Sequence, residues 1–361
     1  MTMDRATGIP GTPMIDDGWL ISTHPVTGAE AGRFPIADAE AVAAAVTRAR
    51  AAAEWWRSLG FDGRRRRLLA WRSDIVRRLD ELVAIMRAET GKPVTDATLE
   101  ISAAVEHIAW AAKHAPRVLS AQRVGGSFVQ LEFSAWVEYQ PYGVVGVIGP
   151  WNYPVYTPMG SIAYAMAAGN AVVFKPSEYT PAVGQFLVDA FARVVPEHPV
   201  LQIVHGIGST GEALVRSAVD KIAFTGSTNT GKRVMAAASD NLTPVLLECG
   251  GKDAMIVEAD ADLDAAAQAA VWAGMANAGQ TCVGIERVYA VEPIFDRLVE
   301  KIVAKASALK VGSEPDDDIG PVTMPGQIEV IERHITAALK DGGTAVLGGI
   351  DAVRAPFVHP T

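Results

Sequence analysis

From Tyr139 to Phe174 the chain carries no charged side chain, and this stretch constrains the fold more than any other. A run so apolar has to be buried, either in protein or in lipid. Four prolines (Pro141, Pro150, Pro154, Pro158) and five glycines (Gly143, Gly146, Gly149, Gly160, Gly169) cut it into pieces. None of these reaches the ~20 unbroken apolar residues of a membrane-spanning helix, so the stretch is expected at the centre of a packed core. Short apolar runs recur at 142–148, 171–174, 200–204, 221–224 and 244–248, separated by helix-compatible stretches at about 158–168, 181–195, 210–219 and 229–239. Apolar strands alternating with helices predict an α/β fold whose parallel sheet is covered on both faces. From Asp253 the alternation restarts as strand 253–257, helix 262–278, strand 287–291 and helix 293–308, so a second α/β unit begins near Gly250.

Upstream, Asp38 is placed to cap a helix over 38–57, where Val42, Val46, Ala49, Ala53 and Trp56 recur at steps of three and four. A second helix is expected from about Arg64 to Thr90, stopped by Gly91 and Pro93. Phe128, Leu131, Phe133, Trp136 and Tyr139 predict strand or hairpin. Met1 to Asp17 holds no apolar core of a secretory signal.

The net charge of −9 gives no positive field to draw the chain to nucleic acid or anionic lipid. The Arg64–Arg67 run lacks interleaved aromatics and reads as a solvated helix face. Two cysteines, Cys249 and Cys282, cannot make a disulfide framework, which points to a reducing, cytoplasmic setting. The seven histidines show no metal-ligand spacing and no Ser-His-Asp order.

Two glycine loops compete for phosphate. Gly206-Ile207-Gly208-Ser209-Thr210-Gly211 follows a strand and opens a helix, as a dinucleotide fingerprint should, but no acidic residue stands about 20 positions on. An ordinary glycine turn explains it as well. Gly226-Ser227-Thr228-Asn229-Thr230-Gly231-Lys232 nearly matches the P-loop of ATPases, yet Arg233 replaces the hydroxyl that holds Mg²⁺. Glycines ahead of a helix still aim N–H groups and the positive dipole end at an anion, so a phosphate site is expected at Gly226–Gly231 without ATP hydrolysis. Glu178, in Lys175-Pro176-Ser177-Glu178 just past a strand, is placed to accept from both ribose hydroxyls of NAD and to repel the 2′-phosphate of NADP.

Three residues carry candidate chemistry. Cys282, among the small and polar neighbours of Asn277–Thr281, reads as an accessible thiol. Glu248 ends an apolar strand, where burial would raise its pKa toward general-base duty. Asn152 directly follows another strand and offers a side-chain amide to an oxyanion.

Together PWNYP at 150–154, FKPSE at 174–178, FTGST at 224–228, Glu-x-Gly-Gly-Lys at 248–252 and GQTC at 279–282 resemble the NAD(P)-dependent aldehyde dehydrogenases, in order and spacing, from about Trp19 to Thr361. The resemblance implies a Rossmann-like parallel-sheet cofactor domain plus part of a second α/β catalytic domain. Its helical N-terminal part would be 1–126, an oligomerisation hairpin 127–141, the NAD-binding core 142–249 and the catalytic domain 250–361. It implies that Cys282 attacks an aldehyde, that Asn152 and the Cys282 N–H hold the oxyanion, and that Glu248 activates the water that releases a carboxylic acid. Lys175 and Glu178 would hold the adenosine ribose of NAD, the pyrophosphate would lie near Gly226 and Ser227, and Ser177 and Gly231 would also bind the cofactor. Trp151 and Cys249 would complete the cofactor site, and Gly206–Gly211 would be a decoy. No metal, nucleic acid or membrane is implied; a homo-oligomer is.

Two departures matter. The family usually has Leu at the position of Cys249, where the thiol reads as a packing substitution. The family's Glu-x-Phe-Gly-Pro segment, which binds the nicotinamide ribose, and the strand that completes its oligomer sheet have no counterpart in the 361 residues. The expectation is therefore an active dehydrogenase or, alternatively, a truncated homologue that binds NAD or a protein partner without turnover.

Overall fold

The computed structural model describes residues 9–125, 129 and 133–361. The chain opens with an antiparallel sheet of β1 (Met14–Asp16), β2 (Trp19–Thr23) and β3 (Glu30–Pro35), which the sequence reading did not anticipate. Four helices follow: α1 (Ala39–Ser58), α2 (Gly60–Arg77), α3 (Leu79–Thr90) and α4 (Val94–Val118). Asp38 caps α1 as expected, its carboxylate accepting from the Ala41 N–H at 2.8 Å.

The single helix expected over 64–90 is two helices, α2 and α3, joined at Arg78 (φ −112°, ψ 28°). No Gly or Pro marks this joint. The Arg78 guanidinium lies 4.5 Å over the Phe186 ring and pairs with Glu81, contacts that local sequence does not disclose. Gly91 does end α3, in the left-handed conformation that favours glycine (φ 71°).

Short strands β4 (Gln122–Val124) and β5 (Ala135–Val137) pair antiparallel, fully exposed. Phe128 and Leu131 of the expected hairpin lie outside the described residues.

The apolar runs then build a five-stranded parallel sheet from β6 (Val144–Ile148), β7 (Ala171–Lys175), β8 (Leu201–Ile203), β9 (Lys221–Thr225) and β10 (Val245–Glu248). Between them run α5 (Tyr156–Ala167), α6 (Pro181–Val194), α7 (Gly208–Arg216) and α8 (Thr228–Ser239). The order β10-β9-β6-β7-β8 puts the first strand in the middle; the chain works outward through β7 and β8, then returns past β6 to β9. Such a reversal opens a crevice at the carboxyl ends of the strands. Every residue of β6 and β7 is buried, as a sheet covered on both faces demands. One continuous core joins this sheet to α1–α8, with Trp56 and Trp71 sealed in it; Trp56 donates to the Met166 carbonyl and Trp71 to that of Leu187.

Beyond β10 come β11 (Asp253–Val257), α9 (Leu263–Met275), β12 (Ile285–Ala290), α10 (Phe295–Ser307), α11 (Gly326–Lys340), β13 (Val353–Arg354) and β14 (Phe357–Val358). β11 and β12 pair in parallel, over a separate, small cluster of Val257, Ala266, Ala267, Ile294 and Leu298. The helix expected to reach 278 stops at Met275, and Asn277 and Ala278 then take left-handed backbone angles (φ 54° and 57°). Among the described residues no helix is long and apolar enough to cross a membrane.

Candidate functional site

At the carboxyl edge of the five-stranded sheet, the loops after β6, β7, β9 and β10 converge on a cleft of about 1210 Å³. Trp151, Asn152, Lys175, Ser177, Glu178, Gly226, Ser227, Cys249 and Cys282 all line it. All but Cys282 lie at or just beyond the carboxyl end of a sheet strand, which brings residues distant in sequence onto one wall; Cys282 comes from the loop between α9 and β12. Glu248 and Gly231 do not line it. Gly231 packs beneath, where an added Cβ would stand 3.3 Å from the Cys249 sulfur. Cys249 thus fills the space between α8 and β10.

Ser227 caps α8, accepting from the Thr230 N–H at 3.2 Å, so the helix presents its positive end to the cleft. Gly208, Ser209 and Gly211 of the other glycine loop form part of the same wall. A Cβ on Gly208 or Gly250 would meet nothing within 4 Å, which leaves the cleft open to a ligand backbone at both points. Lys175 is buried, donating to the Pro176 carbonyl at 3.0 Å and lying 3.6 Å from Glu178. Burial lowers its pKa and the Glu178 carboxylate opposes that shift. His205, stacked on Phe34, is pushed down to about 3 by burial and by Lys175, and so adds no second charge beside the lysine. Helix dipole, the Glu178 carboxylate at the cleft wall and glycine-lined space together suit a dinucleotide.

Cys282 is half-buried. Burial raises its pKa, as do the charges of Glu248 and Asp253, while hydrogen bonds from the Cys282 and Val283 N–H groups oppose the rise. The expectation of a buried Glu248 is corrected: the residue is exposed. β10 is the edge strand, and along it Val245 and Leu247 pack on the core while Leu246 and Glu248 face away from it. The Glu248 carbonyl accepts from the Gly226 N–H at 3.0 Å, which ties the general-base candidate to the Gly226–Gly231 loop. After it the chain turns through Gly250 and Gly251; a Cβ on Gly251 would come 2.9 Å from Asp253 Oδ2 and 3.4 Å from the Cys282 carbonyl.

Asn152 points its amide at the cysteine loop, donating to the Gln280 carbonyl at 2.8 Å. An amide nitrogen has two hydrogens, so one remains for a second acceptor. Sequence reasoning missed the groups that hold this pair. Asn277 Nδ2 donates to the carbonyls of Asn152 (3.0 Å) and Gln280 (3.2 Å). Gln280 is itself fixed by the Asn277 and Pro321 carbonyls and the Thr323 N–H. Tyr153 and Thr281 join hydroxyls at 2.9 Å. From α4, Asp96 accepts the Asn277 N–H at 3.0 Å, and Glu100, ion-paired with buried Lys92, accepts the N–H groups of Val155 (2.8 Å) and Tyr156 (3.2 Å). The signal was present: two carboxylates four residues apart, among the core-facing Ala97, Ile101 and Ala104. No group of three or more metal-ligating side chains occurs among the described residues.

A model of the aldehyde dehydrogenase family matches residues 17–361. The chain is 38% identical over 328 residues to 4,4′-diapolycopene aldehyde oxidase of a Methylomonas species, covering 90% of this chain and 62% of that one. It is 36% identical over 338 residues to a probable succinate-semialdehyde dehydrogenase [NADP(+)] of Sinorhizobium fredii, covering 90% and 67%. The chain thus spans about two thirds of the length of these relatives. Among solved structures it is similar to PnpE of Pseudomonas sp. WBC-3 in complex with nicotinamide adenine dinucleotide, with TM-score 0.89 and 32% identity, over 95% of this chain and 72% of that one.

Proposed function

The chain belongs to the aldehyde dehydrogenase family, and from that premise we propose that it oxidises an aldehyde to a carboxylic acid through a thioester on Cys282, with NAD as hydride acceptor. The observation that carries this reading is the meeting of Cys282, Asn152 and the Ser227-capped end of α8 in one cleft.

The dinucleotide, when bound, takes up the hydride. Gly226, Ser227 and the amino end of α8 hold its pyrophosphate, and Trp151, Ser177 and Cys249 line its path. Lys175 and Glu178 hold the adenosine ribose, and the Glu178 carboxylate disfavours a 2′-phosphate. The name of the Sinorhizobium relative carries NADP(+), so the preference for NAD rests on Glu178 of this chain alone.

The Cys282 thiolate attacks the carbonyl carbon, and the π electrons move to the oxygen. The free Asn152 N–H and the Cys282 backbone N–H stabilise that oxyanion. Losing one such donor costs ~3–4 kcal/mol in the transition state. As the carbonyl re-forms and hydride departs, a thioester remains on Cys282. Glu248, open to solvent at the strand end, takes a proton from water; the water oxygen attacks the thioester, Cys282 leaves as thiolate and the acid is released. The exposed hairpin with Trp136 and Val137 supports assembly into a homo-oligomer, and the two free thiols support a reducing, cytoplasmic setting.

Glu248→Gln separates the steps. With NAD and a panel of aldehydes it is expected to release about one NADH per chain in a burst, and then to slow by ~10²–10⁴-fold, the usual worth of a general base. Mass spectrometry should find the acyl group on the peptide containing Cys282. A folded variant that binds NAD but gives neither burst nor adduct would leave a dinucleotide-binding protein without turnover.

A further inference from the structure

Asn152 and Cys282 sit on different loops, one after β6 and the other after α9, yet an oxyanion shared between them tolerates little error in their spacing. The contacts that join the two loops are polar: Asn152 donates to the Gln280 carbonyl, and Tyr153 meets the Thr281 hydroxyl. Val155 caps α5 without a side-chain acceptor of its own, because Pro154 and Val155 supply none. The cysteine loop, for its part, contains two consecutive non-glycine residues in left-handed conformation, Asn277 and Ala278, a strained arrangement that persists only where its surroundings hold it.

Both needs are met from one rigid element. Asp96 and Glu100 stand at i and i+4 on α4, so they emerge on one face of a single helix. Glu100 takes the two orphan N–H groups at the start of α5, three residues past Asn152. Asp96 takes the N–H of strained Asn277, whose amide then holds the carbonyls of Asn152 and Gln280 together. Lys92 balances the buried Glu100 charge and lies 4.3 Å over the Tyr153 ring, between the two loops. We propose that Asp96 and Glu100 are positioning residues that fix the spacing of Asn152 and Cys282, so that α4, which forms no part of the cleft wall, sets the oxyanion geometry. The inference rests on the roles assigned to Cys282 and Asn152 above.

The test reads that geometry without requiring turnover. An aldehyde that adds to Cys282 as a stabilised hemithioacetal protects the thiol from iodoacetamide, and site-resolved mass spectrometry of the full chain gives the protection constant. Short aliphatic and aromatic aldehydes serve as probes. Asp96→Ala is expected to weaken protection about tenfold to a hundredfold, with NAD affinity unchanged. Asp96→Asn, whose amide oxygen still accepts from Asn277, should stay within about threefold of wild type. Glu100→Gln keeps the acceptor for α5 and should behave likewise, a second check that does not delete the buried side chain. Protection unchanged in Asp96→Ala would overturn the inference. So would Asp96→Asn as impaired as Asp96→Ala, a parallel loss of NAD affinity, or a wild-type thiol that no aldehyde protects. Protection in a wild type that forms no NADH would instead defeat the proposed turnover and leave the positioning role standing.

Discussion

The two α/β units of this chain are built to different standards of burial. The sheet of β6–β10 shares one core with α1–α8, containing sealed tryptophans and strands with every residue buried. The separate core cluster of the unit after Gly250 holds five small to medium buried residues, and Ile256, Trp272, Val283 and Tyr289 stay exposed on it. Asn152 and the cleft-facing end of α8 belong to the first unit, and Cys282, the proposed nucleophile, belongs to the second. The proposed dinucleotide site thus lies in the better-packed part of the fold, whereas the proposed chemistry depends on how a weakly cored part is held against it. The holding groups are polar: the carboxylates on α4, Asn277 and Gln280.

The contrast breaks most visibly under core truncation. Trp56→Ala removes a sealed side chain and one of the donors to the Met166 carbonyl, at a cost of ~3–5 kcal/mol. Denaturant unfolding should show that loss in the whole cooperative transition, together with lost NAD affinity. Leu298→Ala, in the small cluster, should cost ~2–3 kcal/mol and act locally. Hydrogen exchange should rise over 253–308 and NADH formation should fall, while NAD binding persists. Equal effects of both variants on NAD binding would dissolve the distinction between the units.

A smaller effect sharpens the first unit's role. Glu178→Gln removes the charge proposed to oppose a 2′-phosphate, and the ratio of NAD to NADP affinity should fall by about tenfold, ~1.4 kcal/mol. The smallest effect concerns pH in the second unit. Burial, with the charges of Glu248 and Asp253, raises the Cys282 pKa, so the thiol is neutral at low pH and becomes thiolate only as pH rises past the raised value. Alkylation of Cys282 should therefore accelerate into the alkaline range, with its midpoint above that of an ordinary thiol. Glu248→Gln, removing one of the charges that raise it, should move the midpoint down. A midpoint below the ordinary thiol range would contradict this electrostatic picture.

Much of the stable unit was legible because period and punctuation agree there. The runs at 171–174 and 221–224 became β7 and β9 with ends shifted by a residue, and Asp38 capped α1. The sequence also pointed to the residues of the cleft wall, through strand ends followed by Gly, Asn or Glu. What stayed hidden was decided by contacts between distant segments. α9 stops short because Asp96 and the Asn152 carbonyl claim Asn277, and the 64–90 helix breaks where Arg78 turns to Phe186. Glu248 is exposed because β10 is an edge strand, and strand order cannot be read from one strand's residues. α4 went unread although Ala97, Ile101, Ala104, Val105 and Ile108 keep helical period.

The central claim is that Cys282 and a dinucleotide held by the stable unit oxidise an aldehyde together. Its most direct test is NADH formation by a stoichiometric amount of the full chain with NAD and a panel of aldehydes, beside Cys282→Ala, with NAD affinity measured on both proteins. The account predicts at least one NADH per wild-type chain, none from the variant, and equal NAD affinity. Wild-type protein that binds NAD but forms no NADH, or a variant that forms it at the wild-type rate, would contradict the account.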